Sequence, residues 1–158
     1  MVDQLKQQYT LKITGANRSQ LVVILYEIFF IYVEDAKTSH EKKDRTGFRL
    51  NIQRARGCVN QLMSTLDFQY SISSGLMQLY LYVNRELAKA ETSNNPDPFD
   101  GIKIVMKGLH ESFEIISDQD TSGPLMENTQ TVYAGLTYSK NNLNESLSNQ
   151  RSNRGFLA

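Results

Sequence analysis

The chain has 158 residues, enough to bury one domain's core but not two. Its 17 basic and 17 acidic residues cancel, so no global field draws it to nucleic acid or to anionic lipid. A single cysteine, Cys58, excludes an intramolecular disulfide and a cysteine-based zinc site, and two widely separated histidines, His40 and His110, leave little for metal or imidazole chemistry.

A polar, mixed-charge leader, MVDQLKQQYTLKITGANRSQ, precedes LVVILYEIFFIYV at 21–33, thirteen positions with one charge, Glu27. The run is too short to span a bilayer, which takes roughly 20 apolar residues. No small-residue cleavage site follows it, so it does not read as a signal sequence either. The expectation is a cytoplasmic chain without membrane insertion.

The first predicted helix starts at Ser19 as its N-cap and fades between Lys37 and Glu41. At 100° per residue, Leu21, Leu25, Ile28 and Tyr32 form one core stripe, widened by Val22, Phe29, Val33 and Ala36. Val23 and Phe30 lie on another side, beside a narrow polar edge made by Glu27 and Glu34. A helix apolar nearly all round is either the buried centre of its fold or covered by something further.

The second helix carries Phe48, Ile52, Ala55, Val59, Leu62, Met63 and Leu66 on a 3.6-residue period and stops by Asp67 or Phe68. The basic residues Lys42, Lys43, Arg45, Arg49, Arg54 and Arg56 near its start read as a solvated, salt-paired face, with no nucleic-acid reading motif. Cys58 sits on its flank as a small inert hydrophobe. The third helix, capped by Ser73 or Ser74, repeats Leu76, Leu79, Tyr80, Val83, Leu87 and Ala90 and leaves Met77, Leu81 and Tyr82 off that stripe. The fourth begins near Pro98, tolerated in a first turn because its missing N–H has no helical acceptor there. Ile102, Met106, Leu109, Phe113 and Ile116 share one of its sides; opposite lie Ile104 and Ile115, interleaved with the small residues Gly101, Gly108 and Ser112.

Residues 119–158 turn rich in Asn, Ser, Gln and Thr, so the chain divides into a helical body at 1–118 and a tail at 119–158. Within the tail, Val132, Leu136, Leu143 and Leu147 recur at helical spacing, a short amphipathic segment able to dock on the body. Four long helices with short links predict an all-α fold, an antiparallel up-and-down four-helix bundle with an N-terminal leader segment and a polar C-terminal tail.

Chemistry-bearing motifs are missing. No glycine-rich phosphate loop, HExxH or GxSxG occurs, and His40-Glu41 and His110-Glu111 lack the Glu-x-x-His spacing of di-metal bundles. The expectation is a protein with no catalytic residues, no metal and no cofactor, not an enzyme.

LVVILYE at 21–27 followed by Ala36, and RARGCVNQLMSTLDFQYSISSGLMQLYLYVNRELAKA at 54–90, resemble the FliS family of flagellar export chaperones. The residues that carry the resemblance are Arg54, Ala55, Leu62, Met63, Leu66, Asp67, Leu76, Leu79, Tyr80, Tyr82, Arg85, Leu87 and Ala90, and it spans about residues 9–116. The chain departs from the family at the entry to its first helix, Arg18-Ser19-Gln20-Leu21, which lacks a proline. It departs again at Ile28 and Phe29, where a small residue is usual after the Leu-Tyr-acid motif, and at Phe113, where a Trp is common.

The resemblance implies a cytosolic chaperone that binds the C-terminal segment of flagellin, prevents its premature polymerisation and delivers it to a component of the flagellar export gate. Such a client orders on binding and lays an apolar helical face into a groove. The surplus apolar positions Val23, Phe30, Met77, Leu81, Tyr82, Ile104, Gly108 and Ile115 are then the candidate client-binding residues. Three covers for the first helix stay open: a client helix, the leader around Tyr9, or the tail. An alternative of another class is a structural or regulatory helical paralogue that self-associates or sequesters a different flagellar protein.

Overall fold

The computed structural model describes residues 3–126. Five helices run in order: α1 (Asp3–Thr14), α2 (Arg18–Glu41), α3 (Arg45–Ser64), α4 (Ile72–Ser93) and α5 (Phe99–Gln119). Among the described residues there is no strand. The four long helices share one core: α2 packs against α3 and α5, and α4 against α3 and α5.

The leader supplies a helix that the four-element expectation lacks. Leu5, Tyr9 and Ile13, spaced by four, are its half-buried apolar residues, and Gly15 ends it. Apart from the exposed Leu11, its remaining positions are polar, which makes the stripe faint in sequence.

Local chemistry fixes the other boundaries. The N-cap of α2 is Asn17, not Ser19. The Asn17 side chain accepts from the Gln20 backbone N–H at 2.8 Å, and the Gln20 side chain accepts from the Asn17 N–H at 2.9 Å, a reciprocal capping box. Asp44 caps α3 by accepting from the Gly47 N–H at 2.9 Å. A Cβ at position 47 would lie 2.2 Å from the Asp44 Oδ2, so this cap needs the glycine. Neither Ser73 nor Ser74 caps α4, which starts at Ile72; Ser73 is buried and donates to the Asp67 carbonyl. Asn94 ends α4 at φ 52°, in the left-handed region that asparagine tolerates. Its carbonyl bonds the His40 ring at 3.1 Å, joining the ends of α4 and α2.

The core stripe of α2 is rotated from the expected one. Tyr26, Phe29, Val33 and Ala36 are fully buried, whereas Leu25, Ile28 and Tyr32 pack at the margin and Leu21 is half-exposed. With so many apolar positions, neighbouring helices rather than periodicity decide which stripe faces inward. In α4, Leu79 is 38% exposed, on the flank of the stripe that Leu76, Tyr80, Val83, Leu87 and Ala90 carry. In α5, burial fades along the helix: Ile102 and Met106 are enclosed, Leu109 and Phe113 half-buried, and Ile116 is 51% exposed.

Inside the core, the hydroxyls of Tyr26 and Tyr80 lie 2.5 Å apart and satisfy each other, linking α2 to α4 across the interior. Burial pushes both hydroxyls' pKa values upward, so the pair is neutral. Either Tyr26→Phe or Tyr80→Phe strands a buried hydroxyl and should cost about 1–3 kcal/mol, while the double substitution should cost clearly less than the sum of the two. A double-mutant cycle by urea denaturation checks this. In the same assay Leu62→Ala, fully buried, should cost about 2–5 kcal/mol and Leu79→Ala much less.

Candidate binding surface

One residue shows that α2 has a second covered side. Ile24 is 6% exposed, yet it lies about 160° around the helix from Tyr26 and outside the core that the four long helices share. What buries it is the leader. Ile24 and Val23 line a crevice of about 280 Å³ together with Lys12, Ala16, Gln20 and Ser117 of α5.

The grip of α1 on this side centres on Glu27. Its Oε2 accepts from the Lys12 ammonium at 2.9 Å. The Tyr9 hydroxyl bonds the same carboxylate, and burial and that carboxylate together push Tyr9 up to about 12. Lys12 also sits over the Tyr9 ring, 5.0 Å from its centroid. The other acid of the polar edge, Glu34, pairs with Lys103 of α5.

The elbow between α1 and α2 is tied from a third direction. The chain after α5 turns back: the Leu125 N–H donates to the Ala16 carbonyl at 3.0 Å, and the Asn17 amide donates to the carbonyls of Asp120 and Ser122 at 3.1 and 3.3 Å. Ser19, expected as a cap, donates instead to the Asp120 carboxylate. Hydrogen bonds from Ser122 and from Ser19 hold that carboxyl down at about 2.

The other candidate residues fall in separate places. Phe30 is half-buried, edge-on to His110 of α5 and to Phe29. On α5, Ile104 is 76% and Ile115 63% exposed, and with Gly101, Gly108 and Ser112 they make one open stripe. On α4, Tyr82 points toward α5, with its hydroxyl 3.7 Å from where a Cβ on Gly101 would be and Arg85 over its ring. Met77 lies on the opposite flank, two turns before Asn84, which bonds Asn60 of α3, and Leu81 faces solvent. Thus Val23 lies under α1, Tyr82 borders α5, and Met77 and Leu81 do not join either group. Val132, Leu136, Leu143 and Leu147 lie outside the described residues.

The basic residues also sort by partner. Arg49 and Arg56 pair with Glu91 of α4, and Arg54 stacks over Tyr32, so this face is laced by salt bridges and a cation–π contact. Burial pushes the Cys58 thiol up to about 11, which suits an inert core residue. Among the described residues no group of three or more His, Cys, Asp or Glu side chains converges as metal ligands, and no helix is long and apolar enough to cross a membrane.

A family model described as flagellar protein FliS matches residues 1–120. The chain belongs to the FliS family. Among curated proteins no sequence matches it. FliS membership makes it a flagellar chaperone whose partners are flagellar proteins. The match takes in the leader helix and all four long helices and ends just where the chain turns back toward Asn17.

Tyr9 reports on the leader's contact. Its raised pKa means that the neutral hydroxyl is favoured when α1 is docked; that contribution is complete below the free value of 10 and is lost as pH rises through about 12. In an ultraviolet titration Tyr9 should ionise near 12, and Glu27→Gln should move it back toward 10. A titration unchanged by that substitution would separate Tyr9 from Glu27.

Proposed function

We propose that the chain is a cytoplasmic chaperone, not an enzyme, that binds the C-terminal segment of flagellin and holds it back from premature polymerisation. It then presents the segment to a component of the flagellar export gate. Its four long helices are read as an antiparallel up-and-down bundle. The start of α2 bonds the chain just past the end of α5, and the ends of α2 and α4 meet, which supports that reading.

The observation that carries the function is an apolar surplus that the core does not use. A filament subunit's assembly helices are apolar on the side that packs in the filament, and a partner that shields them must offer matching apolar area. Here that area has two parts. One is the side of α2 around Val23 and Ile24, kept covered by α1. The other is the open α5 stripe of Ile104 and Ile115 with small residues between them, where a client helix can approach closely. In this reading the client displaces the leader and extends along α5. The leader's polar grip on one carboxylate can be exchanged for water, whereas the client's apolar burial cannot.

The test is a complex between the full chain and flagellin. At micromolar concentrations the two should co-elute at equal stoichiometry, and a flagellin C-terminal peptide should compete. Ile104→Asp or Ile115→Asp should weaken the peptide's binding by about 10- to 100-fold, the worth of burying one such side chain, with helix content and melting unchanged. Failure to form the complex would overturn the reading, and unfolding by either substitution would remove the α5 stripe from it.

A further inference from the structure

The turn that follows α5 bonds the elbow between α1 and α2. This separates two questions: what holds the leader down, and what sets whether it can lift. The residues between the helices, Gly15, Ala16 and Asn17, are the only place where α1 can swing relative to α2. Ala16 and Asn17 are 3% and 2% exposed, although they form a three-residue link between helices, a position normally open to solvent.

They are buried because residues 120–125 lie over them. The Asn17 side chain is fully used: its oxygen caps α2, and its amide donates to two carbonyls of the overlying segment. The Ala16 carbonyl, left without an acceptor role in either helix, takes the Leu125 N–H. Asp120 is braced in turn by Ser19 and by the Ser122 backbone N–H. Swinging α1 away from α2 turns the peptide units at 15–17, and that rotation breaks the Ala16 and Asn17 bonds together.

We propose that residues 120–125 are a strap that locks the α1–α2 elbow and so sets how readily the leader lifts from α2. This rests on the reading of α1 as the cover of the client surface. The strap holds the pivot by the neutral bonds of Ala16 and Asn17 and by the Ser19–Asp120 contact, the leader by its contact with Glu27 nearly three turns along α2. Opening therefore needs both holds to release, and whatever binds or displaces residues 120–125 acts on the client surface at a distance.

Hydrogen exchange on the full chain tests the strap without any client. Asn17→Ser keeps an N-cap oxygen for α2 but loses the amide donor, and Leu125→Pro removes the N–H that Ala16 accepts while leaving α2's cap intact. Each should speed exchange of the α1 amides by about tenfold while α2 to α5 keep their protection, since one or two net hydrogen bonds are lost at the pivot. Unchanged α1 exchange in both variants would overturn the proposal. Acceleration in Asn17→Ser alone would assign the effect to the α2 cap and overturn it as well. Flagellin-peptide affinity then separates the two readings. If deleting residues 1–14 leaves affinity unchanged, α1 is not the cover, and the exchange result still decides whether the strap controls it.

Discussion

The fold is governed by α2, a helix with too much apolar surface for one neighbour layer. Its Tyr26, Phe29, Val33 and Ala36 stripe is the part of the core that α3 and α5 close over. Water must also be kept from Ile24 on a different side, and the leader helix does that. A four-helix arrangement alone would leave this second side exposed, at a cost of roughly 25 cal/mol for each Å² of apolar surface. The fifth helix is thus a consequence of α2's composition, and a chaperone's surface can be read as the part of that composition left over from folding.

Polar groups are placed so that this surplus does not become disorder. The Tyr26–Tyr80 pair puts two hydroxyls in the core at no cost in unmet hydrogen bonds and gives α2 and α4 one defined way to face each other. Asn17 does the equivalent at the edge, serving α2's cap and the overlying turn with the two ends of one amide. Neither adds much net stability. Both specify register, which matters for a protein whose apolar surfaces could otherwise pack in several ways.

Much of this was legible in the chain. The 3- and 4-residue spacing of Phe48, Ile52, Ala55, Val59 and Leu62 identifies α3 and its buried face, because apart from the exposed Leu50 its opposite side is polar. The same logic failed on α2: with apolar residues all round, Leu21 and Leu25 were as plausible inward as Tyr26 and Phe29, and only the packing partners break the tie. Leu79 and Ile116 share the core stripes' spacing yet lie exposed for a related reason, since periodicity marks a face but not how far a neighbouring helix reaches along it. Ser19, next to the apolar run, is the more conspicuous cap in the sequence, although Gln20 three residues after Asn17 completes a capping box. The exposed positions Ile104, Gly108 and Ile115 were legible as a stripe because α5 has one buried side. Met77, Leu81 and Tyr82 could not be grouped without knowing which helices flank α4. The strap is not legible in the chain, because its bonds to Ala16 and Asn17 use its own backbone carbonyls and the Leu125 N–H, and its side-chain pair, Ser19 with Asp120, joins residues far apart in sequence.

The two holds on the leader differ in kind. The Lys12–Glu27 pair joins full charges at the surface, with Lys12 more than half exposed, so its strength falls as ions screen it, over about 8 Å at physiological ionic strength. The bonds of Ala16 and Asn17 join neutral groups, those two residues themselves buried, and are nearly indifferent to salt. Ionic strength therefore loosens the leader's grip on Glu27 while leaving its pivot set, so that a salty medium yields a slackened lid on a fixed hinge rather than an open one.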